Sequence, residues 1–281
     1  MTHRVVALLG ASNLTKALPS ALQALIVRQG DDDSLAIFVG HGPGRSYGLS
    51  LEQPHGVIAW KWPGHRESGL LSSLSDHVNE HQPESVHVLM TDIGNDIPYG
   101  VPVDTLAGWV GSLTHDFRKL DARIAITSLP VESVLGLPAW QFNIIRPIMF
   151  PSHPISRAQA FDRVRRAQFL IEQTGENTGS LVLPTQASWY GLDHFHVQRK
   201  MHFQVFDAWI ECLLGCASQE ECDRYPWDEV VGRSRPRGAR LPAITPWIRF
   251  ERSFEERRLG RFRHAVQSGL RIAPQTTLYL Y

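Results

Sequence analysis

Residues 5–18 read VVALLGASNLTKAL, and the fold turns on how this stretch is divided. Val5 to Leu9 are apolar and uncharged, the composition of a strand buried on both faces of a parallel sheet. From Leu14 onward, Leu14, Ala17, Leu18, Ala21, Leu22 and Leu25 recur at helical spacing. Gly10 gives the chain a sharp exit from the strand. Ser12 therefore falls at the carboxyl end of a strand and beside a helix N-terminus, the place where open α/β sheets keep their chemistry. Two readings of Ser12 follow, a nucleophile or, with Asn13, a cap for the helix.

The same alternation runs on. Strands are predicted at Val5–Leu9, Leu35–Val39, Val86–Met90, Arg123–Thr127 and Leu181–Leu183, with a weaker one at Gly56–Trp60. Helical periodicity fills Leu14–Arg28, Leu70–Glu80, Thr105–Leu120, Ala158–Glu172 and Val197–Leu214. Strand and helix in turn imply parallel strands joined by crossover helices, a three-layer α/β fold.

Two regions break the pattern. Leu129–Pro154 is rich in prolines and apolar residues and too long for a plain connection, as lids and binding loops are. Its Trp140, Phe142, Ile144, Ile145, Met149 and Phe150 would line an acyl pocket, make an oligomer contact, or cover the core. From Arg224 to Tyr281 about a dozen Arg stand against roughly five acidic residues. This divides the chain into an α/β domain over residues 1–217 and a basic, Arg/Pro-rich C-terminal extension over 218–281. The extension would meet an acidic partner or a second copy of the chain, or remain solvated; no nucleic-acid motif accompanies it.

Composition narrows the class. A chain of 281 residues suffices for one sizeable α/β core, and its formal net charge of zero gives no pointer to nucleic acid or membrane. No stretch is long and apolar enough to span a bilayer, and no signal peptide is read at the N-terminus. Cys212, Cys216 and Cys222 are odd in number and close in sequence, so they are read as reduced, partly buried thiols. Together these point to a cytoplasmic protein.

Three further motifs lie where the alternation places loop ends. Gly40–Gly48, GHGPGRSYG, follows the second strand. It fits neither the dinucleotide nor the P-loop pattern, yet it offers unobstructed backbone N–H groups to an oxyanion or a phosphate. Thr91–Gly100, TDIGNDIPYG, puts Asn95 at a strand end, as an amide donor or as part of a turn. Gly191–Gln198, GLDHFHVQ, spaces Asp193 and His196 so that one local turn brings carboxylate to imidazole. His194 and His196 as a metal pair lack a clear third ligand.

In order and setting, these four blocks resemble the SGNH hydrolases, the GDSL-like esterases and lipases. The resemblance covers residues 4–215. It implies a flavodoxin-like fold with about five parallel strands, Ser12 as nucleophile, His196 as general base and Asp193 as its orienting acid. It implies an oxyanion hole made by the backbone N–H groups of Ser12 and Gly44, with Gly42 as the alternative to Gly44, and by the Asn95 side chain. The implied activity is hydrolysis of a carboxylic ester, a small acyl or carbohydrate O-acyl ester, through an acyl-serine and without metal or cofactor. Two departures stand out. Gly10-Ala11-Ser12-Asn13 lacks the usual aspartate and is closer to the Gly-Gln-Ser-Asn start of sialate and carbohydrate acetylesterases. Ile93 occupies the glycine position of the third block. An inactive binding protein of the same fold, and a phosphate-binding module using Gly40–Gly48, remain the alternatives. Arg45 would favour an anionic substrate or pair within the fold.

Overall fold

The computed structural model describes residues 2–55, 58–149, 155–234 and 269–281, with the backbone alone at 51–55, 58–62 and 146–149. The elements, in chain order, begin with β1 (His3–Leu9), α1 (Ser12–Ile26), β2 (Ser34–Gly40), β3 (Leu51–His55), β4 (Ile58–Trp62) and α2 (Leu70–His81). They continue with β5 (Ser85–Met90), α3 (Val103–Arg118), β6 (Arg123–Thr127), α4 (Val131–Leu135), α5 (Ala139–Met149) and α6 (Arg157–Thr178). Next come β7 (Leu181–Leu183), α7 (His202–Gly215), α8 (Gln219–Asp223), β8 (Leu270–Ala273) and β9 (Thr276–Leu280).

β1, β2, β5, β6 and β7 are the five strands expected from sequence. They pair in parallel in the spatial order β7-β6-β5-β1-β2, the flavodoxin-like arrangement. Side chains alternate across β1. Val6 and Leu8 join a core with Leu14 and Leu18 of α1 and Phe206 and Trp209 of α7. Val5, Ala7 and Leu9 join a second core with Leu74 of α2, Val110 and Phe117 of α3 and Val164 of α6. Helices therefore cover both faces, and the central strand is apolar and buried from Val5 to Leu9 because that stretch has no solvent side.

The C-terminal region departs from the expected division. β9 pairs in parallel with β2, from Leu35 opposite Thr276 to Val39 opposite Leu280, and β8 closes that edge antiparallel, giving seven strands. Leu278 and Leu280 are buried in the core. Residues 219–232 also pack inward: Cys222, Trp227 and Val230 belong to the α1–α7 core. Arg233 donates to Asp207 and Glu211 of α7 at 3.2 and 2.6 Å, so the acidic groups it meets belong to the domain itself. The boundary at 217/218 thus separates no change in packing among the described residues. Residues 235–268, with most of the basic charge, lie outside them.

The weak strand read at Gly56–Trp60 is β4, at Ile58–Trp62, paired antiparallel with β3 in a separate hairpin. Leu129–Pro154, expected as an irregular loop, holds α4 and α5, with Pro130 just before α4 and Pro138 just before α5. A proline at a helix start gives up no internal hydrogen bond, so these prolines begin helices as well as interrupting chain. Among the described residues, no helix is long and apolar enough to cross a membrane.

Candidate active site

The turn after β1 is packed too tightly for a side chain at residue 10. A Cβ on Gly10 would lie 2.6 Å from Thr91 Cγ2 and 2.7 Å from Leu14 Cβ. Ser12 opens α1, but neither Ser12 nor Asn13 is the N-cap; that position is Ala11, which has no capping side chain. The cap comes from another strand end. Asp92, in the left-handed region at φ 62°, sends its carboxylate to this turn. One oxygen, Oδ2, accepts from the N–H groups of Ala11, Asn13 and Leu14 at 2.7, 3.0 and 3.1 Å. The negative charge sits where the helix end is positive. Of the four N–H groups from Ala11 to Leu14, that of Ser12 is not among its donors.

The last block folds as one turn. Asp193 Oδ1 accepts from the N–H groups of Phe195 and His196 at 3.1 and 2.9 Å, and Oδ2 meets His196 Nδ1 at 2.6 Å. The other imidazole nitrogen, Nε2, lies 2.9 Å from Ser12 Oγ. The three residues read from sequence as Ser12, Asp193 and His196 are therefore in hydrogen-bonded series. Burial would push the Asp193 carboxyl up; the bonds from the His196 ring and from the His196 and Phe195 N–H groups outweigh it and hold it at about 2. An ionised carboxylate on Nδ1 leaves Nε2 free to accept the serine proton. His194 points elsewhere, its Nδ1 2.6 Å from the Ser133 carbonyl. No group of three or more His, Cys, Asp or Glu side chains among the described residues could hold a metal ion.

The second and third blocks are locked together. Asp96, fully buried, accepts from the Ser46 hydroxyl and from the Tyr47 N–H at 2.9 Å. Burial pushes its carboxyl up to about 6, against the effect of those two hydrogen bonds. Tyr47 OH donates to the Thr91 carbonyl at 2.8 Å. Asn95 lines the cavity that holds Ser12 and His196, with Nδ2 3.5 Å from the Arg45 carbonyl. Gly44 has φ 69°, and its carbonyl accepts from Tyr99 OH at 2.9 Å; neither it nor Gly42 lines that cavity. Arg45 is not a substrate cation. It is completely buried and donates to the carbonyls of Pro63, His41 and Tyr281 at 3.1, 3.1 and 2.5 Å.

The cavity, about 110 Å³ in all, runs from Ser12, Asn95 and His196 to a largely apolar end with Val134, Leu137, Phe142, Ile145 and Val164 among its walls. Of the aromatic and apolar residues singled out in this segment, Phe142 and Ile145 face the cavity. Trp140 and Ile144 do not; they are 66% and 54% exposed. The side chains of Met149 and Phe150 lie outside the described residues. The sequence reading missed Asp92 and the structural use of Asn13. No local sequence signal marks Asp92, because its helix partner begins 80 residues earlier in the chain and meets it only through the pairing of β5 with β1.

No protein-family model matches the chain, and no curated protein is significantly similar to it in sequence. Similar chain courses occur among solved structures. A psychrotrophic esterase, EstA, from Pseudoalteromonas sp. is 12% identical, over 75% of this chain and 96% of that one, with a TM-score of 0.43. A lipase/acylhydrolase from Enterococcus faecalis is 12% identical over 74% and 93%, TM-score 0.44. An acetyl xylan esterase, AlAXEase, is 10% identical over 72% and 96%, TM-score 0.42.

Proposed function

We propose that the protein is a serine hydrolase that cleaves carboxylic esters, with Ser12, His196 and Asp193 as its triad. The observation that carries this reading is the series Asp193 Oδ2–His196 Nδ1 at 2.6 Å and His196 Nε2–Ser12 Oγ at 2.9 Å, opening onto an apolar cavity. Ser12 Oγ attacks the ester carbonyl as His196 Nε2 takes its proton. The tetrahedral oxyanion is held by the Ser12 N–H, which Asp92 leaves open, and by the Asn95 amide; Gly44, expected as a third donor, does not line the cavity and takes no part in this reading. His196 then protonates the leaving alcohol, the acyl-serine forms, and a water activated by the same imidazole releases the acid.

The walls of the cavity favour an acyl chain over a sugar on the acyl side of the bond. Few polar atoms beyond the triad end are available to pair with hydroxyls, and unpaired hydroxyls are costly to bury. Hydrolysis of a series of acyl esters by the full chain and by Ser12→Ala tests the reading. Turnover by the native protein and none above background by the variant supports it; equal rates for the two contradict it.

A further inference from the structure

Asn13 uses both N–H donors of its amide and its oxygen as an acceptor. Its Oδ1 accepts from the Val197 N–H at 2.8 Å, while Nδ2 donates to the Phe195 carbonyl at 3.1 Å and to Asp92 Oδ1 at 2.7 Å. Phe195 and Val197 flank His196. One side chain therefore grips the main chain on both sides of the imidazole-bearing residue, much as a neighbouring strand would. Asp92 completes the device, its Oδ1 on the Asn13 amide and its Oδ2 on the N–H groups of Ala11, Asn13 and Leu14.

The Asp193–His196 turn needs no help to bring carboxylate to imidazole, since Asp193 bonds the backbone and ring of its own turn. What that turn lacks internally is a fixed distance to Ser12, which comes from a different part of the chain. Asn13 is covalently next to Ser12 and hydrogen-bonded to both neighbours of His196, so it ties the two halves of the triad together. We propose that Asn13 and Asp92 are positioning residues that set the Ser12–His196 distance. The consequence for rate rests on the hydrolase reading; the geometric role does not. A misplacement of about 1 Å at a reacting pair costs on the order of 100-fold in rate.

The test combines ¹⁵N NMR of the His196 ring with labelling of Ser12 by a fluorophosphonate. In the otherwise native protein, Ser12→Ala removes a partner of Nε2 and shifts its resonance. In Asn13→Ala the same serine substitution is expected to leave Nε2 unmoved, because the bond is already lost, while the Nδ1 proton shared with Asp193 keeps its downfield position. The labelling rate of Asn13→Ala is expected to fall about 10- to 100-fold. Should that variant fail to fold, Asn13→Asp keeps the shape and the acceptor for Val197 while removing both Nδ2 donors. An undiminished Ser12-dependent shift in folded Asn13 variants overturns the proposal. A native protein that shows that shift, loses it on Asn13→Ala and yet resists the fluorophosphonate would uphold the clamp and overturn the hydrolase reading. Absence of the shift in the native protein would overturn both.

Discussion

His196 Nε2 lies 2.9 Å from Ser12 Oγ across 184 residues of sequence, whereas Asp193, the other partner of the ring, is three residues away. The imidazole is thus oriented locally and brought to Ser12 from a distance. Asp193→Asn keeps the shape but replaces an acceptor with a donor on one oxygen position, which disturbs the tautomer with Nδ1–H toward residue 193. The expected result is a fall in kcat of about 10⁴-fold with KM little changed, measured by steady-state hydrolysis of the best ester substrate.

The apolar walls set a second expectation. Each methylene buried contributes about 0.8 kcal/mol, so kcat/KM is expected to rise up to about fourfold per carbon from acetyl esters until the cavity is full. Val164, on a wall of the cavity, is the place to shorten it. Val164→Phe is expected to lower kcat/KM for long-chain esters by at least tenfold while leaving acetyl esters within about threefold, the sum of a few lost methylene contacts. A flat chain-length profile unaffected by the substitution would rule out the cavity as the acyl site.

How much of this was legible in the sequence depends on the range of the interaction. Val5–Leu9 announces its strand because burial on both faces requires an unbroken apolar run. Asp193 and His196 announce their pairing because a three-residue spacing closes in one turn. The role of Asp92 was hidden, since a carboxylate after a strand gives no sign of which helix end it will face. Arg45, beside Gly44, reads from sequence equally as a ligand for an anionic substrate or as a partner within the fold; its partners are the backbone carbonyls of His41, Pro63 and Tyr281, and two of these are too distant in sequence to be foreseen. β9 was obscured for a compositional reason. The five-residue alternation of Thr276–Leu280 sits at the end of a segment dominated by arginine and proline, and its pairing partner is 241 residues earlier, as in Leu35 with Thr276.

That terminal strand is expected to be integral to stability. Leu278 is completely buried between β2 and the helix layer. Leu278→Ala is expected to cost about 2–5 kcal/mol, as large-to-small core substitutions do. Urea unfolding gives the check: a change under about 0.5 kcal/mol would mean that β9 does not pack as described.

Acid should weaken the fold through two histidines. His77 is lowered to about 4 by burial and then by the neighbouring His81 and His3; His87 is lowered to about 4 by burial and then by Arg4 and Arg123. A lowered histidine pKa means that the unfolded chain binds more protons in the window between about 4 and the usual 6.5. Stability from these groups is full above that window and lost as pH falls through it. Asp96, raised to about 6, acts in the opposite sense: its contribution is present at low pH and lost as pH rises from the usual carboxylate range through 6. The two histidines outnumber it, so the urea midpoint is expected to fall between pH 7 and 4.5, and His77→Phe to reduce that fall. His77→Phe keeps an aromatic ring beside Phe38 and Tyr279, whose rings the histidine now meets edge-on at 5.3 and 5.7 Å. An unchanged pH dependence in this variant would remove His77 from the account.

The most direct test of the central claim is the intact mass of the full chain after exposure to a fluorophosphonate, run beside Ser12→Ala. One adduct on the native protein, absent from Ser12→Ala and slowed by His196→Ala, is the predicted result. No adduct on folded protein under conditions that label a control esterase, or an equal adduct on Ser12→Ala, would contradict the assignment of Ser12 as an activated nucleophile.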